Sequence, residues 1–173
     1  MDALEAILTR RSIRAYTDQP VARETVNELL EAAQAAPSAS NQQPWHFIVI
    51  TERGILNEIP TYHPYSQMLR RAPLAIAVCA DPGLEVSKGY WVQDCSAAAQ
   101  NILLAAHARG LGAVWLGVYP LPDRIAALQR TLALPQEVIP LCLIAIGHPA
   151  EKKPRANRFN PARVHQNRWE QKA

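Results

Sequence analysis

Arg10-Arg11-Ser12-Ile13-Arg14, close to the N-terminus, is the stretch around which the rest of this sequence reads as arranged. It packs three guanidiniums into five residues, with a hydroxyl between them and one apolar residue to anchor the backbone. A guanidinium is a permanent cation whose planar fork of donors meets phosphate oxygens in pairs, so the cluster suits a clamp for an anionic, phosphorylated ligand. Read alone, it also suits the end of a helix, where cations favour the C-terminal dipole and Ser begins a turn. Just upstream, Leu4, Ile7 and Leu8 recur at helical spacing, which predicts a short amphipathic helix over 2–9 that delivers the arginines at its C-terminal end.

Downstream, Val26, Leu29, Leu30 and Ala33 share one helical face across 22–36, and Pro37 stops that helix. The next stretch, Ala36-Pro37-Ser38-Ala39-Ser40-Asn41-Gln42-Gln43-Pro44-Trp45, is too polar and too proline-bounded for a strand. Its short hydroxyls and amides fit a rigid hydrogen-bonding platform, or an ordinary connection with Asx turns, and it leads into His46-Phe47-Ile48-Val49-Ile50, read as a buried strand. A short helix over 53–59 follows, then a turn and half-helix over 62–69 of surface character. Leu74 to Ala80 reads as a central strand, ending at Asp81-Pro82-Gly83. The pattern over 89–109 is helical and apolar nearly all round, so this helix belongs in the core or at an interface, and Gly110-Leu111-Gly112 caps it. A strand over 113–119 is interrupted by Gly117, where a backbone or ligand comes close. A helix over 122–132 and a last strand over 141–147 complete a helix-rich α+β order without internal repeats.

With 173 residues, 49% hydrophobic and 19% charged, the chain is expected to form one domain, 1–173, around one core. The net charge of +3 hides an asymmetry. Residues 151–173 form a basic arm in which Lys152, Lys153, Arg155, Arg158, Arg163, Arg168 and Lys172 oppose Glu151 and Glu170, leaving the rest of the chain slightly acidic. Pro154, Phe159, Pro161, Val164 and Trp169 interrupt those charges, which favours an ordered strap bringing positive charge to a bound phosphate over a nucleic-acid arm. Cys79, Cys95 and Cys142 are widely spaced in apolar runs, as buried reduced thiols are, and the five histidines have no metal-ligand spacing. No apolar run approaches the ~20 residues that span a bilayer, and the first residues lack a signal-peptide pattern, so a cytoplasmic location is expected.

Arg10-Arg11-Ser12-Ile13-Arg14, Ala36-Pro37-Ser38-x-x-Asn41-x-Gln43-Pro44-Trp45, the run from Gly110 to Gly117, and Gly147-His148-Pro149 before a basic tail together resemble the nitroreductase family, in that family's order and over essentially the whole chain. The resemblance implies an α+β fold with a central, mostly antiparallel sheet flanked by helices, and a C-terminal extension that wraps the partner of a homodimer. It implies one FMN at each of two sites in the subunit interface. Arg10, Arg11, Ser12 and Arg14 would line the phosphate and ribityl chain, with Arg14 nearest the pyrimidine ring. Pro37, Ser38, Ala39 and Asn41 would come from the partner, and the backbone at Leu116 and Gly117 would face the central-ring nitrogen. Arg158, with Arg155, would close on the phosphate, and Gln67 sits where some relatives place a polar flavin contact. The short region 52–74 lacks the insertions in which longer members build specificity, which leaves the acceptor undefined.

A flavin performs the redox chemistry while the protein supplies position and electrostatics. At an effective dielectric of about 20, a cation ~4 Å from the reduced pyrimidine edge is worth on the order of 4 kcal/mol before desolvation. The expected activity is ping-pong electron transfer from NADH or NADPH to an electron-poor small molecule such as a nitroaromatic or quinone. No Rossmann G-x-G-x-x-G is present, so the nicotinamide would be a transient substrate, and no nucleophile paired with a base stands out. Enone reduction, dehalogenation or flavin fragmentation on the same scaffold, and a flavin-binding protein without turnover, are the competing expectations. Neither a nucleic acid nor a membrane is expected as a partner.

Overall fold

In the computed structural model, which describes residues 1–169, the helices and strands follow the order anticipated from the sequence. Asp2 caps α1 (Ala3–Thr9) by accepting the Glu5 amide at 2.8 Å. There follow α2 (Arg23–Gln34), β1 (Trp45–Ile50), α3 (Arg53–Tyr62), β2 (Leu74–Ala80), α4 (Trp91–Ala108), β3 (Gly112–Gly117), α5 (Pro122–Thr131) and β4 (Ile139–Gly147). The last four residues of the expected basic arm, 170–173, lie outside the described residues. No described helix is long and apolar enough to cross a membrane.

The four strands form one sheet in the order β1-β2-β4-β3, antiparallel at every pairing. Its two central strands are buried on both faces, and their side chains divide by size. Leu74, Ile76, Val78, Ile144 and Ile146 meet α2 and α4, whereas Ala75, Ala77, Cys79, Leu143 and Ala145 meet α3 and α5. Small residues on the second face let those helices approach closely, and alternation of this kind sets the strand register. Cys79, Cys95 and Cys142 are buried and unpaired, and burial pushes the Cys79 and Cys95 thiols up to about 12. They are inert fillers.

Two segments depart from the sequence reading. β1 is an edge strand whose middle is half exposed, because its other edge has no neighbouring strand among the described residues. Its run of large apolar residues reads like a central strand and conceals that position. Residues 62–69, read as surface, bury His63, Ser66 and Leu69 while exposing Tyr65. α3 runs on to Tyr62 through Pro60, and a 3₁₀ turn at Gln67–Arg70 folds the segment back under the sheet.

Beyond Pro149, which bridges to Tyr16, the described residues to 169 run without regular structure except for one 3₁₀ turn at Pro161–Arg163. Phe159 (79% exposed), Val164 and Trp169 (83%) are exposed on this arm, Trp169 stacking only on His165 at 4.3 Å between ring centroids.

Candidate active site

The arginine stretch begins as the end of α1, where the Arg10 amide donates to the Ala6 carbonyl at 3.0 Å, and is then laid along the free edge of β3. Ser12 pairs in parallel with Ala113, and the Ile13 amide donates to the Ala113 carbonyl at 3.1 Å. The approach depends on Gly112, where a Cβ would stand 2.6 Å from Ile13 Cγ2. On the inner side the buried Tyr16 hydroxyl donates to the Ile13 carbonyl at 2.6 Å, and burial raises its pKa. On the outer side Glu151 Oε1 accepts the amides of Arg14 and Ala15 and an ion pair from Lys153 at 3.1 Å. The Arg14 amide is the main reason that its carboxyl titrates low. Lys153 Nζ also donates to the Ser12 carbonyl at 2.9 Å. The arm therefore returns two side chains to the arginine strand, a role that a bare count of its charges did not suggest.

At one end of this strand Arg10, Arg155 and Arg158 line a cavity of about 420 Å³ with Ile7, Leu8 and Phe159. Among the described residues no carboxylate lines it. Burial lowers the Arg10 pKa, and the nearby charges of Arg158 and Arg11 lower it further. Like charges gathered without a counter-charge are unfavourable alone and become favourable once an anion binds. Arg11 departs from the expected grouping: its guanidinium donates to the Pro154 carbonyl and it lines a neighbouring cavity with His107 and Lys152. Ser12 contributes its backbone to the strand pairing.

At the other end Arg14 and Gln67 line a more open cavity of about 480 Å³ over Trp115, Leu116 and Gly117. Its floor is held unusually firmly. The Gly117 carbonyl accepts from His63 Nε2 at 2.9 Å and from Arg124 Nη1 at 3.0 Å. Because a carbonyl only accepts, Nε2 carries the ring hydrogen; burial lowers the His63 pKa and keeps the imidazole neutral near pH 7. Burial of the Gly117 face by the chain itself is absent: a Cβ there would meet nothing within 4 Å. Gln67 donates to the Pro60 carbonyl and accepts from Arg70, which steadies it at the rim. Arg14 is exposed, so the expected electrostatic term must be reduced; in water a unit charge at ~4 Å is worth about 1 kcal/mol, not 4.

Pro37, Ser38, Ala39 and Asn41 line neither cavity of their own chain. Their loop is nonetheless rigid, with Ser40, Asn41 and Gln43 at positive φ. The buried Asp94 of α4 accepts the Ala39 amide at 2.9 Å and Gln42 Nε2 at 2.7 Å, while Gln42 Oε1 takes the amides of Val86 and Ser87. A preformed loop that lines neither cavity of its own chain is suited to serve another molecule.

The nitroreductase family model matches residues 7–61 and 56–148, which covers the arginine strand, the platform loop and all four sheet strands. The chain belongs to the nitroreductase family. A relative from Methanothermobacter thermautotrophicus, provisionally named NADH dehydrogenase/NAD(P)H nitroreductase, is 53% identical over 98% of this chain and 88% of its own. A crystal structure of a protein with the same provisional name from Parabacteroides distasonis superposes with a TM-score of 0.93 at 44% identity, covering 96% of this chain and 98% of that one. A provisionally named nitroreductase from Desulfovibrio desulfuricans, solved in complex with FMN, gives a TM-score of 0.85 at 35% identity over 98% and 99% of the two chains.

For a nitroreductase, three residues here were not singled out from the sequence. Asp94 had a visible signal, a lone acid in an otherwise apolar helix. His63 and Arg124 had none, since their meeting at Gly117 depends on the path of the segment after α3.

Proposed function

We propose that this nitroreductase-family protein is an FMN-dependent oxidoreductase that takes electrons from NADH or NADPH and passes them to an electron-poor acceptor such as a nitroaromatic or quinone. In the same reading the two substrates use one slot in turn, the chain works as a homodimer with FMN at the interface, and residues 1–173 act as a single domain whose 151–173 arm reaches the partner. The cytoplasm is its proposed location.

The observation that carries this reading is the crowding of Arg10, Arg155 and Arg158 around a cavity that no carboxylate of the described residues lines. These residues fit the phosphate of FMN, with Arg10 and Arg158 as its principal holders and Arg155 beside them. From there the extended Arg10–Arg14 backbone spans on the order of 13 Å, at ~3.3 Å per residue, to the slot over Gly117, leaving Ser12 alongside a linear sugar chain. The open face of Gly117 suits a flat ring. Bound there, FMN supplies the capacity to accept and release a pair of electrons with hydride.

The chain's own residues do the rest. Arg14 contributes positive charge at the slot, favouring the more anionic state of whatever lies over it. His63 and Arg124 hold the Gly117 carbonyl with two hydrogen bonds, so the strand presents a constant surface to each substrate. Pro37, Ser38, Ala39 and Asn41 of one protomer would complete the slot of the other, held in shape by Asp94. Gln67 offers a polar contact at the rim.

An absorption spectrum tests the proposal directly. The purified protein is expected to be yellow, to bleach with NADH or NADPH, and to recover when a nitroaromatic or quinone is added. A protein that stays colourless after reconstitution with FMN would overturn it, and one that is yellow but inert to both reductants would leave only a flavin-binding role.

A further inference from the structure

The slot contains one cation whose charge the proposed function leaves unused. Arg124 lines it half-buried, with a single guanidinium nitrogen committed to the Gly117 carbonyl at 3.0 Å. Its charge is balanced by no carboxylate: among the described residues the ion pairs are Arg109–Glu28 and Lys153–Glu151, and no acidic residue lines the slot. It also stands in the first turn of α5, where the helix dipole repels a cation. A residue that breaks a local rule without a compensating partner in the chain points to a ligand. Above it the exposed ring of Tyr65, 5.4 Å from the guanidinium carbon, forms an aromatic wall that rises from the same slot.

We propose that Arg124 makes this slot selective for molecules that carry an anionic group beside the ring placed over Gly117, foremost an aromatic acceptor bearing a carboxylate, with Tyr65 packing along its edge. The inference rests on the flavin reading and narrows its substrate class. Arg124 is a specificity residue here; the remaining donors of its fork can meet a carboxylate two at a time. The same chemistry could be met by a phosphate of the dinucleotide, which the test separates.

The variant is Arg124→Gln, compared with Arg124→Lys and with wild type as flavin-loaded protein. His63 still holds the Gly117 carbonyl in each, so the floor of the slot survives. Steady-state kcat/KM is measured for 4-nitrobenzoate and its neutral methyl ester, and KM is measured separately for NADH and NADPH. Wild type is expected to prefer the carboxylate; in Arg124→Gln that preference, the ratio of kcat/KM for carboxylate over ester, should fall about tenfold beyond any loss the two acceptors share from the missing donor to Gly117, with Arg124→Lys between. Loss confined to a rise in KM for NADH or NADPH would assign the anionic group to the dinucleotide. Equal losses on both acceptors, with nicotinamide KM values unmoved, would overturn the proposal and reduce Arg124 to a strut. Retained yellow colour and turnover of the ester in that case would leave the flavin enzyme standing, whereas colourless protein inert to every substrate would sink that reading first.

Discussion

The cavity beside Arg10 and the slot over Gly117 open at opposite ends of one strand, yet they are held in opposite ways. The first is walled by α1 and by an arm without regular structure, and its defining feature is uncompensated charge. The second is floored by β3, and its defining feature is geometry: two donors on one carbonyl, and a glycine with open space where a side chain would be. A phosphate is bound well by charge even on a yielding frame, since bidentate arginines adapt to it. A reacting ring has to be placed to a fraction of an ångström, which requires a packed support. The difference predicts that substitutions at the first end change how much cofactor is held, and those at the second change what the held cofactor does.

The largest effect belongs to the charged end. Removing one arginine from a phosphate clamp costs about 1.5–3 kcal/mol, so Arg158→Ala should raise the FMN dissociation constant by roughly 10- to 100-fold. Flavin fluorescence titration reads this directly. The midpoint potential of the flavin still bound should stay put, and a large shift in potential would break the proposed division of labour.

Next in size is the joint between the two ends. A Cβ at Gly112 cannot coexist with Ile13 without movement, so Gly112→Ala should destabilise the fold by about 2 kcal/mol, the cost of an overpacked site. Urea denaturation measures it. Because Ile13 sits between Ser12 and Arg14 in the arginine strand, flavin retention should fall together with stability; unchanged stability would show that the strand is not seated as described.

The slot end is expected to respond to acid. His63 has a folded pKa below its ordinary 6.5, chiefly because it is buried. As pH falls below that value the unfolded chain takes up the proton before the folded one, so stability declines with acidification until the folded imidazole also protonates. Arg124, which shares its acceptor, adds to the same direction. His63→Gln should flatten this part of the stability profile in denaturation runs between pH 7 and pH 5, and a profile as steep as wild type would assign the loss to another group.

How much of this was visible beforehand follows the same contrast. The charged end was legible because each of its two parts has a local signal: Arg10 opens a run of three arginines, and Arg155 and Arg158 lie in a tail whose basic residues are broken by apolar ones. The slot end was half legible. Gly117 announced itself by interrupting an apolar strand, but its two supports come from a turn near residue 63 and from a helix start at 124, a pairing made only by the tertiary path. The surface reading of 62–69 failed for a related reason, since His63, Ser66 and Tyr65 look alike in composition and only the return of the chain beneath the sheet buries the first two. Glu151 was counted as a minor charge against a basic arm, while its work lies in one carboxylate oxygen facing two amides.

The smallest effect is also the one that tests how the two ends communicate. Arg14 belongs to the arginine strand but lines the slot, and in the single chain it is exposed. With water around it, its contribution to a reduced, anionic ring is about 1 kcal/mol at ~4 Å, which for a two-electron couple corresponds to roughly 20 mV. Arg14→Ala should therefore lower the flavin midpoint potential by about that amount, with a modest loss of retention. A fall several times larger in a dye-equilibration titration would mean that the guanidinium works in a drier setting than its own chain provides. The platform loop of a second protomer, stiffened by Asp94 and lining neither cavity of its own chain, is what could supply that dryness. The same titration on Asp94→Asn, in which that loop loses its anchor, would then bring the Arg14 contribution back toward 20 mV, the value set by water. If it did not, the loop would have no part in tuning the slot.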